Sequence, residues 1–367
     1  MEVIRQGESR PDATVFMPTW NNGRFLRPAL QSILDQRGVV VEAVVLDDCS
    51  SDGTWEQVKR TVRRHRGPHR IVIHRHERND VMQHWRLLTS ACTAEWIVEA
   101  HGDDFSEPCR VARVLEVASR GGADCIGSNA LRIDDRGRAI GRRVEGVGST
   151  SFDLARWLRD GWFAGFTGST LAYSRRVLEM FPPTARERLQ VGIDHILPFR
   201  GMLLSSAVYL DEPLIRYRYH AGQHTYRLHL ATEGDERAES IQALDCMTHL
   251  AMLADLEHVA MHGEPDVRER ASAWRPALQA RVLELTDRWM LTRNRLYASG
   301  HRSVWMDAGA YERRASRRHR RWYRVLRKMA SLLGVDGRSG ARPLQDGSTR
   351  PTAISVGSTA SSTRRAA

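Results

Sequence analysis

The sequence predicts an α/β fold: a mostly parallel sheet flanked by helices, followed by a C-terminal helical extension. Three observations predict it. Apolar runs of strand length alternate with amphipathic runs of helix length, the pattern of βαβ units. Several strand runs end in proline or acid, at Pro18, Asp48 and Asp103. From about residue 233 the apolar spacing is helical throughout.

Taken in order, Ala13-Thr14-Val15-Phe16-Met17 is the first strand, and it runs into the turn-forming loop Pro18-Thr19-Trp20-Asn21-Asn22-Gly23. Phe25, Leu26, Ala29, Leu30, Ile33 and Leu34 recur at helical spacing, so one face packs on a sheet. Val39 to Leu46 is nearly all apolar, as expected of a strand buried on both faces. It ends in Asp47-Asp48-Cys49-Ser50-Ser51-Asp52-Gly53-Thr54, where Ser51 or Asp52 can cap the helix running through Val58 and Val62. Ile71-Val72-Ile73 is a third strand and 81–94 a third helix, on which His84 and Trp85 read as packing residues. Trp96 to Ala100 is a short buried strand running out into Asp103-Asp104, with a helix over 108–119 and a fifth strand over 123–127 beyond it.

Crossovers of this kind are right-handed, which aligns the strand tips on one edge. Ligands of open α/β sheets bind outside those carboxyl ends. Asp103 and Asp104 make an oxygen-rich point there, suited to Mg²⁺ or Mn²⁺ carrying a diphosphate. The plainer alternative is a polar turn in which Asp104 caps the next helix. No Gly-x-Gly-x-x-Gly follows the first strand and no Gly-x-x-x-x-Gly-Lys occurs, so dinucleotide-binding and P-loop readings are weak.

The second half opens with a glycine- and charge-rich hairpin or loop over 132–150, then a helix over 152–162. Phe163 to Thr170 is rich in small residues that allow close backbone approach. Trp162, Phe163 and Phe166 either hold the face of an acceptor sugar or fill the core. Strands follow at 171–174, 207–210 and 214–220, with helices opening at Arg175 and at Gly192-Ile193-Asp194-His195. Leu244, Met247, Leu250, Leu253 and Leu256 mark one buried helical stripe, and Leu278, Val282, Leu285 and Trp289 another.

With 367 residues the chain can bury one large domain and an appendage, and 41% hydrophobic residues fit a soluble globular protein. No apolar run reaches the roughly 18–20 residues that span a bilayer, and the polar N-terminus lacks a signal-peptide core, so a cytoplasmic protein is expected. Five scattered cysteines argue against a disulfide framework or a zinc site built on them. The net charge of +11 rests on arginine, since Lys59 and Lys328 are the only lysines, and it favours anionic partners. Much of it lies between Glu312 and Lys328, where eight arginines accompany an apolar face of Trp322, Val325, Leu326, Met329, Leu332 and Leu333. This segment, 312–333, is either a peripheral contact with anionic lipid at the inner face of the membrane or a helix packed on the catalytic domain. Beyond Gly334 the composition is that of a disordered tail.

Four segments together resemble the inverting family-2 glycosyltransferases of GT-A (Rossmann-like) fold. They are Val15-Phe16-Met17-Pro18-Thr19-Trp20-Asn21, Leu46-Asp47-Asp48-Cys49-Ser50-Ser51-Asp52-Gly53-Thr54, Gly102-Asp103-Asp104, and Gly192-Ile193-Asp194-His195 with Tyr209 to His220. The likeness covers roughly 12–225, which sets a transferase domain there, a helical extension over 233–333 and a tail over 334–367. The resemblance implies that Pro18, Thr19 and Asn21 line a nucleotide pocket and that Asp48 accepts a hydrogen bond from a pyrimidine N–H. It further implies Asp103 by the ribose or the metal, Asp104 on a divalent cation (Mn²⁺ or Mg²⁺), His220 near the metal or diphosphate, and Asp194 as general base. The plainer readings make Asp48 a turn residue, Asp194 a helix-start acid and His220 a surface histidine. His101 departs from the family, which often has aspartate there.

The implied activity moves a sugar from a nucleotide-diphospho-sugar, by preference a UDP-sugar, to a saccharide or lipid-linked acceptor in surface polysaccharide or glycolipid assembly. Two other classes fit the sequence less well. A sugar-phosphate nucleotidyltransferase needs a Gly-rich basic loop, which Pro18 to Gly23 lacks. A nucleic-acid-binding protein needs a recognition module that the arginines do not form.

Overall fold

The computed structural model describes residues 2–5, 10–80, 82–161, 163–181, 193–223 and 234–298. The basic segment 312–333, the tail 334–367 and Trp162 lie outside the described residues.

Among the described residues, eleven strands form one sheet. They are β1 (Glu2–Arg5), β2 (Ala13–Thr19), β3 (Val41–Asp47), β4 (Arg70–Arg75), β5 (Trp96–Glu99), β6 (Phe105–Ser106), β7 (Cys125–Ile133), β8 (Ala139–Arg142), β9 (Thr150–Phe152), β10 (Ala172–Ser174) and β11 (Ala207–Arg218). The order is β1-β4-β3-β2-β5-β10-β7-β11-β6, with β8 on β7 and β9 on β11. The predicted parallel register holds across β4, β3, β2 and β5. β10 is antiparallel to both β5 and β7, so β7 runs with the first four strands, and β11 is parallel to β7. β2, β3, β4, β5, β7 and β11 thus share one direction, and the other strands fill in between and at the edges.

The helices of the first half are α1 (Leu26–Leu34), α2 (Thr54–Arg64), α3 (Met82–Ala91) and α4 (Arg110–Ser119). Val15 and Met17 of β2, Ala43 and Val45 of β3, and Ile71 and Ile73 of β4 share one core with Leu26, Leu30, Ile33, Val58, Val62, Val111 and Val114. The alternate residues Phe16, Val44, Leu46 and Val72 are equally buried, which explains the unbroken apolar runs. Burying such side chains stabilises the fold by about 1.5–3 kcal/mol each. Glu42 interrupts the run and is fully buried, with its carboxylate partnered. Its carboxylate accepts from Thr14 Oγ1 at 2.7 Å and Thr93 N at 2.7 Å and pairs with Arg70 at 2.8 Å. The α4 helix begins at Arg110, well after Asp104, so Asp104 is not its cap.

The two strands expected at 207–210 and 214–220 are one, β11. Pro213 has no N–H to give the ladder, and the register shifts on either side of it while the strand continues. The glycine-rich stretch 132–150 is the β7–β8 hairpin and its return.

The second half adds α5 (Leu154–Asp160), a 3-10 turn over Gly168–Thr170, α6 (Arg176–Glu179) and α7 (Ile193–Leu204). Two long helices follow, α8 (Gly234–His262) and α9 (Pro265–Ala298), in the same compact unit as the sheet. Ile196 to Leu204 of α7 is buried throughout, as expected of a helix enclosed on all sides. It lies against β7 on one side and α8 and α9 on the other. Arg200 of α7 is fully buried and forms a bidentate ion pair with Asp255 of α8, at 2.8 and 3.0 Å. No helix among the described residues is long and apolar enough to cross a membrane. All five cysteines are free thiols.

Removing one half of the buried pair strands the other charge. Asp255→Ala is expected to lower stability in chemical denaturation by about 3–5 kcal/mol, and a paired Arg200→Met/Asp255→Leu replacement to recover most of the loss.

Candidate active site

The tips of β2, β3 and β5 lie side by side. Thr19 pairs with Asp47 in the parallel ladder, and the Asp48 N–H donates to the Thr19 carbonyl at 2.9 Å. On the other side, a Cβ added at Gly102 would lie 2.4 Å from Thr19 Oγ1. Only glycine lets the acidic turn come this close. Thr19 therefore stands between Asp48 and the Asp103-Asp104 turn.

The two loops are knitted together. Asn21 has φ of 51°. Its N–H donates to Ser50 Oγ at 2.9 Å and its Oδ1 accepts from the Ser51 N–H at 2.9 Å. Thr19 Oγ1 donates to Asn22 Oδ1 at 2.8 Å, and Asp52 Oδ2 accepts from the Gly23 N–H at 2.8 Å. Asp52 also accepts from the Thr54 N–H at the start of α2. The side chains of Thr19 and Asn21 thus shape the loops from within. Pro18 is half-buried, and Trp20 is 49% exposed beside them.

Asp48 is 1% exposed. Its Oδ1 lies 2.8 Å from His76 Nδ1 and accepts from the Asp80 N–H at 2.9 Å, and its Oδ2 lies 3.3 Å from His84 Nε2. Burial alone would raise the Asp48 pKa, but His84, the Asp80 N–H and His76 lower it below the usual carboxylate value. His84, expected only to pack on its helix, is instead a partner of Asp48. Nothing in the local sequence marks it, because its partner lies on another strand.

The second acidic group is His101, Asp103 and Asp104, each with a donor atom within 4.8 Å of the others. Asp104 is 5% exposed. Its Oδ1 accepts from the Arg218 N–H at 2.8 Å, and its buried Oδ2 makes no hydrogen bond of good geometry to a described residue. Burial and the Asp103 charge push its pKa up to about 8 against the Arg218 N–H and the Ser169 hydroxyl. Asp103 Oδ2 lies 3.0 Å from His220 Nε2, which brings His220 to the acidic turn. Burial lowers the His101 pKa, against the charges of Asp103 and Asp194, and so leaves a neutral imidazole able to ligate.

Arg218 holds this turn. Its Nε donates to the Asp103 carbonyl at 3.0 Å and its Nη1 to the Asp134 carbonyl at 3.0 Å. The guanidinium lies 4.5 Å from the Phe25 ring centre and 4.9 Å from that of Phe105. Behind the turn, the buried Arg110 donates to the Ser169 carbonyl at 2.7 Å. Tyr173 donates to Glu99 Oε1 at 2.5 Å. Burial pushes the Glu99 pKa up to about 7, against Tyr173 and Arg110.

Asp194 sits in the first turn of α7. Its Oδ1 accepts from the Gly168 N–H at 2.8 Å. A Cβ at Gly168 would lie 3.0 Å from Asp194 Oδ1 and 3.2 Å from His101 Cε1, so Asp194 and His101 flank the same glycine. The small-residue run admits this acid to the edge of the second group. Phe166 is 1% exposed and packs with Phe152 and Phe163, which places it in the core. Phe163 is half-buried against Tyr209.

Residues 14–181 match the family described as Glycosyl transferase family 2. The chain is 27% identical over 225 residues to the succinoglycan biosynthesis protein ExoO of Rhizobium meliloti (strain 1021), covering 57% of this chain and 61% of that protein. It is 27% identical over 108 residues to the putative colanic acid biosynthesis glycosyl transferase WcaA of Escherichia coli (strain K12), covering 29% and 38%. The chain thus spans less than two thirds of either relative. Among solved structures, S. aureus TarS 1-349 in complex with UDP-GlcNAc aligns with a TM-score of 0.48 at 16% identity, over 78% of this chain and 92% of that one. The mannosyltransferase PcManGT from Pyrobaculum calidifontis, in complex with GDP-Man and Mn²⁺, aligns with a TM-score of 0.45 at 15% identity, over 92% and 89%.

The raised Glu99 pKa has a definite sign in stability. The unfolded chain releases this proton from about pH 4.5, whereas the folded chain keeps it to about pH 7. Stability from this group is therefore full below pH 4.5 and falls as pH rises to about 7, by about 3 kcal/mol in all. Glu99→Gln is expected to gain stability over the wild type between pH 5 and pH 8, read by denaturant unfolding at the two pH values.

Proposed function

We propose, from the premise that residues 14–181 are a family-2 glycosyltransferase domain of GT-A type, that the protein transfers a sugar from a nucleotide-diphospho-sugar to an acceptor hydroxyl with inversion. One observation carries the reading. Asp48 and the Asp103-Asp104 turn flank Thr19 at one sheet edge, and Asp194 reaches the His101 side of that turn across Gly168.

In this reading the nucleobase lies at the Asp48 end, where Pro18, Thr19 and Asn21 shape the pocket and Trp20 offers an exposed ring face. A carboxylate there accepts from a pyrimidine N–H, which favours UDP as carrier. His101, Asp103 and Asp104 fit a divalent cation. Their donor atoms cluster, Asp104 Oδ2 is buried with no hydrogen bond of good geometry to a described residue, and a carboxylate-rich set with one imidazole suits Mn²⁺ or Mg²⁺. When bound, the cation supplies Lewis-acid stabilisation of the leaving diphosphate. His220, held by Asp103, stands beside the diphosphate position.

The Gly168 N–H orients the Asp194 carboxylate, which takes the acceptor proton as the hydroxyl oxygen bonds the anomeric carbon. The carbon–diphosphate bond breaks on the opposite face, so one base and one displacement invert the centre. A double displacement would need a carboxylate nucleophile as well. By their names, ExoO is a succinoglycan biosynthesis protein and WcaA a putative colanic acid biosynthesis glycosyl transferase. That supports a saccharide or lipid-linked acceptor here, and we place the reaction in the cytoplasm or at the inner face of the membrane. We keep 12–225 as the transferase domain and the following helices as its extension.

Titration of UDP with and without Mn²⁺ tests the donor site, and coupled, metal-dependent binding is expected. Asp104→Asn is expected to abolish metal-dependent transfer while circular dichroism stays unchanged. Asp194→Asn is expected to keep UDP affinity within about twofold and to lose roughly 10²–10⁴ in turnover. Normal turnover by Asp194→Asn would place the base elsewhere.

A further inference from the structure

We propose that Asp48, His76 and His84 form a second cation site, selective for nitrogen-binding divalent ions of the zinc class, and that a cation there excludes the nucleobase. The second half of this statement rests on Asp48 being the base-reading residue.

The three side chains come from separate elements: the end of β3, the residue after β4, and α3. Each offers one donor atom, and the three lie within 4.8 Å of one another. Two imidazoles and one carboxylate are a zinc-class donor set, whereas the carboxylate-rich group at Asp103 and Asp104 suits harder ions. Zinc bonds of about 2.0–2.1 Å at tetrahedral angles place neighbouring donors about 3.3 Å apart. Asp48 Oδ2 and His84 Nε2 are 3.3 Å apart. That is long for a charge-assisted hydrogen bond, which closes to about 2.7–2.9 Å. Both atoms are buried, and neither makes a hydrogen bond of good geometry to a described residue. The His76 contact, at 2.8 Å, would open slightly.

The surroundings suit a cation too. The Asp80 N–H fixes Asp48 Oδ1, so the carboxylate is held in one orientation. The His74 ring stands edge-on to His76, 5.1 Å between centroids, which limits the swing of that imidazole. Asp48 and His76 are almost wholly covered, but the His84 side chain keeps 19% of its surface, so an ion reaches the site past His84. Binding needs no redox partner. Each imidazole ligates through the ring nitrogen that faces Asp48 and carries a proton on its other ring nitrogen. The Asp48 oxygen that ligates the cation no longer accepts from a base.

The test uses the full chain. Zinc alone is titrated calorimetrically in excess Mg²⁺, with free zinc set by a chelator buffer. One zinc equivalent is expected to be lost, or weakened at least tenfold, in His84→Gln and in His76→Gln, and kept in Asp104→Asn. Co²⁺ in the wild type is expected to show the visible absorption of a tetrahedral nitrogen–oxygen site, which needs no variant to fold. UDP is then titrated in Mg²⁺ at zero and saturating free zinc. A UDP Kd raised at least tenfold by zinc in the wild type, and unmoved by zinc in His84→Gln, is expected. Zinc binding that survives both histidine replacements, or that only Asp104→Asn removes, overturns the site. Simultaneous binding of zinc and UDP overturns the exclusion. If UDP fails to bind even in Mg²⁺ while zinc follows the histidines, the donor reading falls and the cation site stands.

Discussion

Two neighbouring carboxylates at the end of one buried strand repel each other, and the structure around them supplies the compensating donors. Asp104 receives the Arg218 N–H, Asp103 is met by His220, and the Arg218 guanidinium grips the Asp103 carbonyl between two aromatic rings. This one arginine ties together the start of α1 through Phe25, β6 through Phe105, the β7–β8 turn through Asp134 and the last residue of β11. It explains why β11 must run unbroken through Pro213, since a strand ending earlier would deliver neither Arg218 nor His220. The compensation is incomplete, as the raised Asp104 pKa shows. A divalent cation is the group that would complete it.

Much of this was legible before any coordinates. Strand runs ending in Pro18, Asp48 and Asp103 announce a shared edge, because parallel βαβ units point their tips one way. Asp194 at a helix start and His220 after a strand could be assigned a side of the cleft by resemblance alone. The structure brings Asp194 to Gly168 and His220 to Asp103. What stayed hidden depends on pairing across the sheet. Neither the antiparallel insertion of β10 between β5 and β7 nor the continuity of β11 has a local period. Arg218 reads as one arginine among many until its carbonyl partners are known. His84 falls on an amphipathic helix where packing is the ordinary explanation, and His101 looked like a departure from the family when it stands within ligand distance of both acids.

The edge is divided in two by Thr19. On one side the donors are mainly nitrogen, on the other mainly carboxylate oxygen, and the two groups differ in how they stay charged. His84, the Asp80 N–H and His76 lower the Asp48 pKa, whereas burial and the Asp103 charge raise that of Asp104. Gly102 and Gly168 make the closeness possible. A single methyl at either would meet Thr19 or the Asp194 carboxylate.

The Arg200–Asp255 pair reaches beyond stability. It makes α7, which carries Asp194, inheritable only together with α8. A chimaera that exchanged the C-terminal helices between relatives at a junction after Leu204 would bring an unmatched guanidinium into an apolar seam. One joined upstream of Ile193 would pass both charges on as a unit. Diversification of the second half by recombination is therefore expected to move these helices as a block.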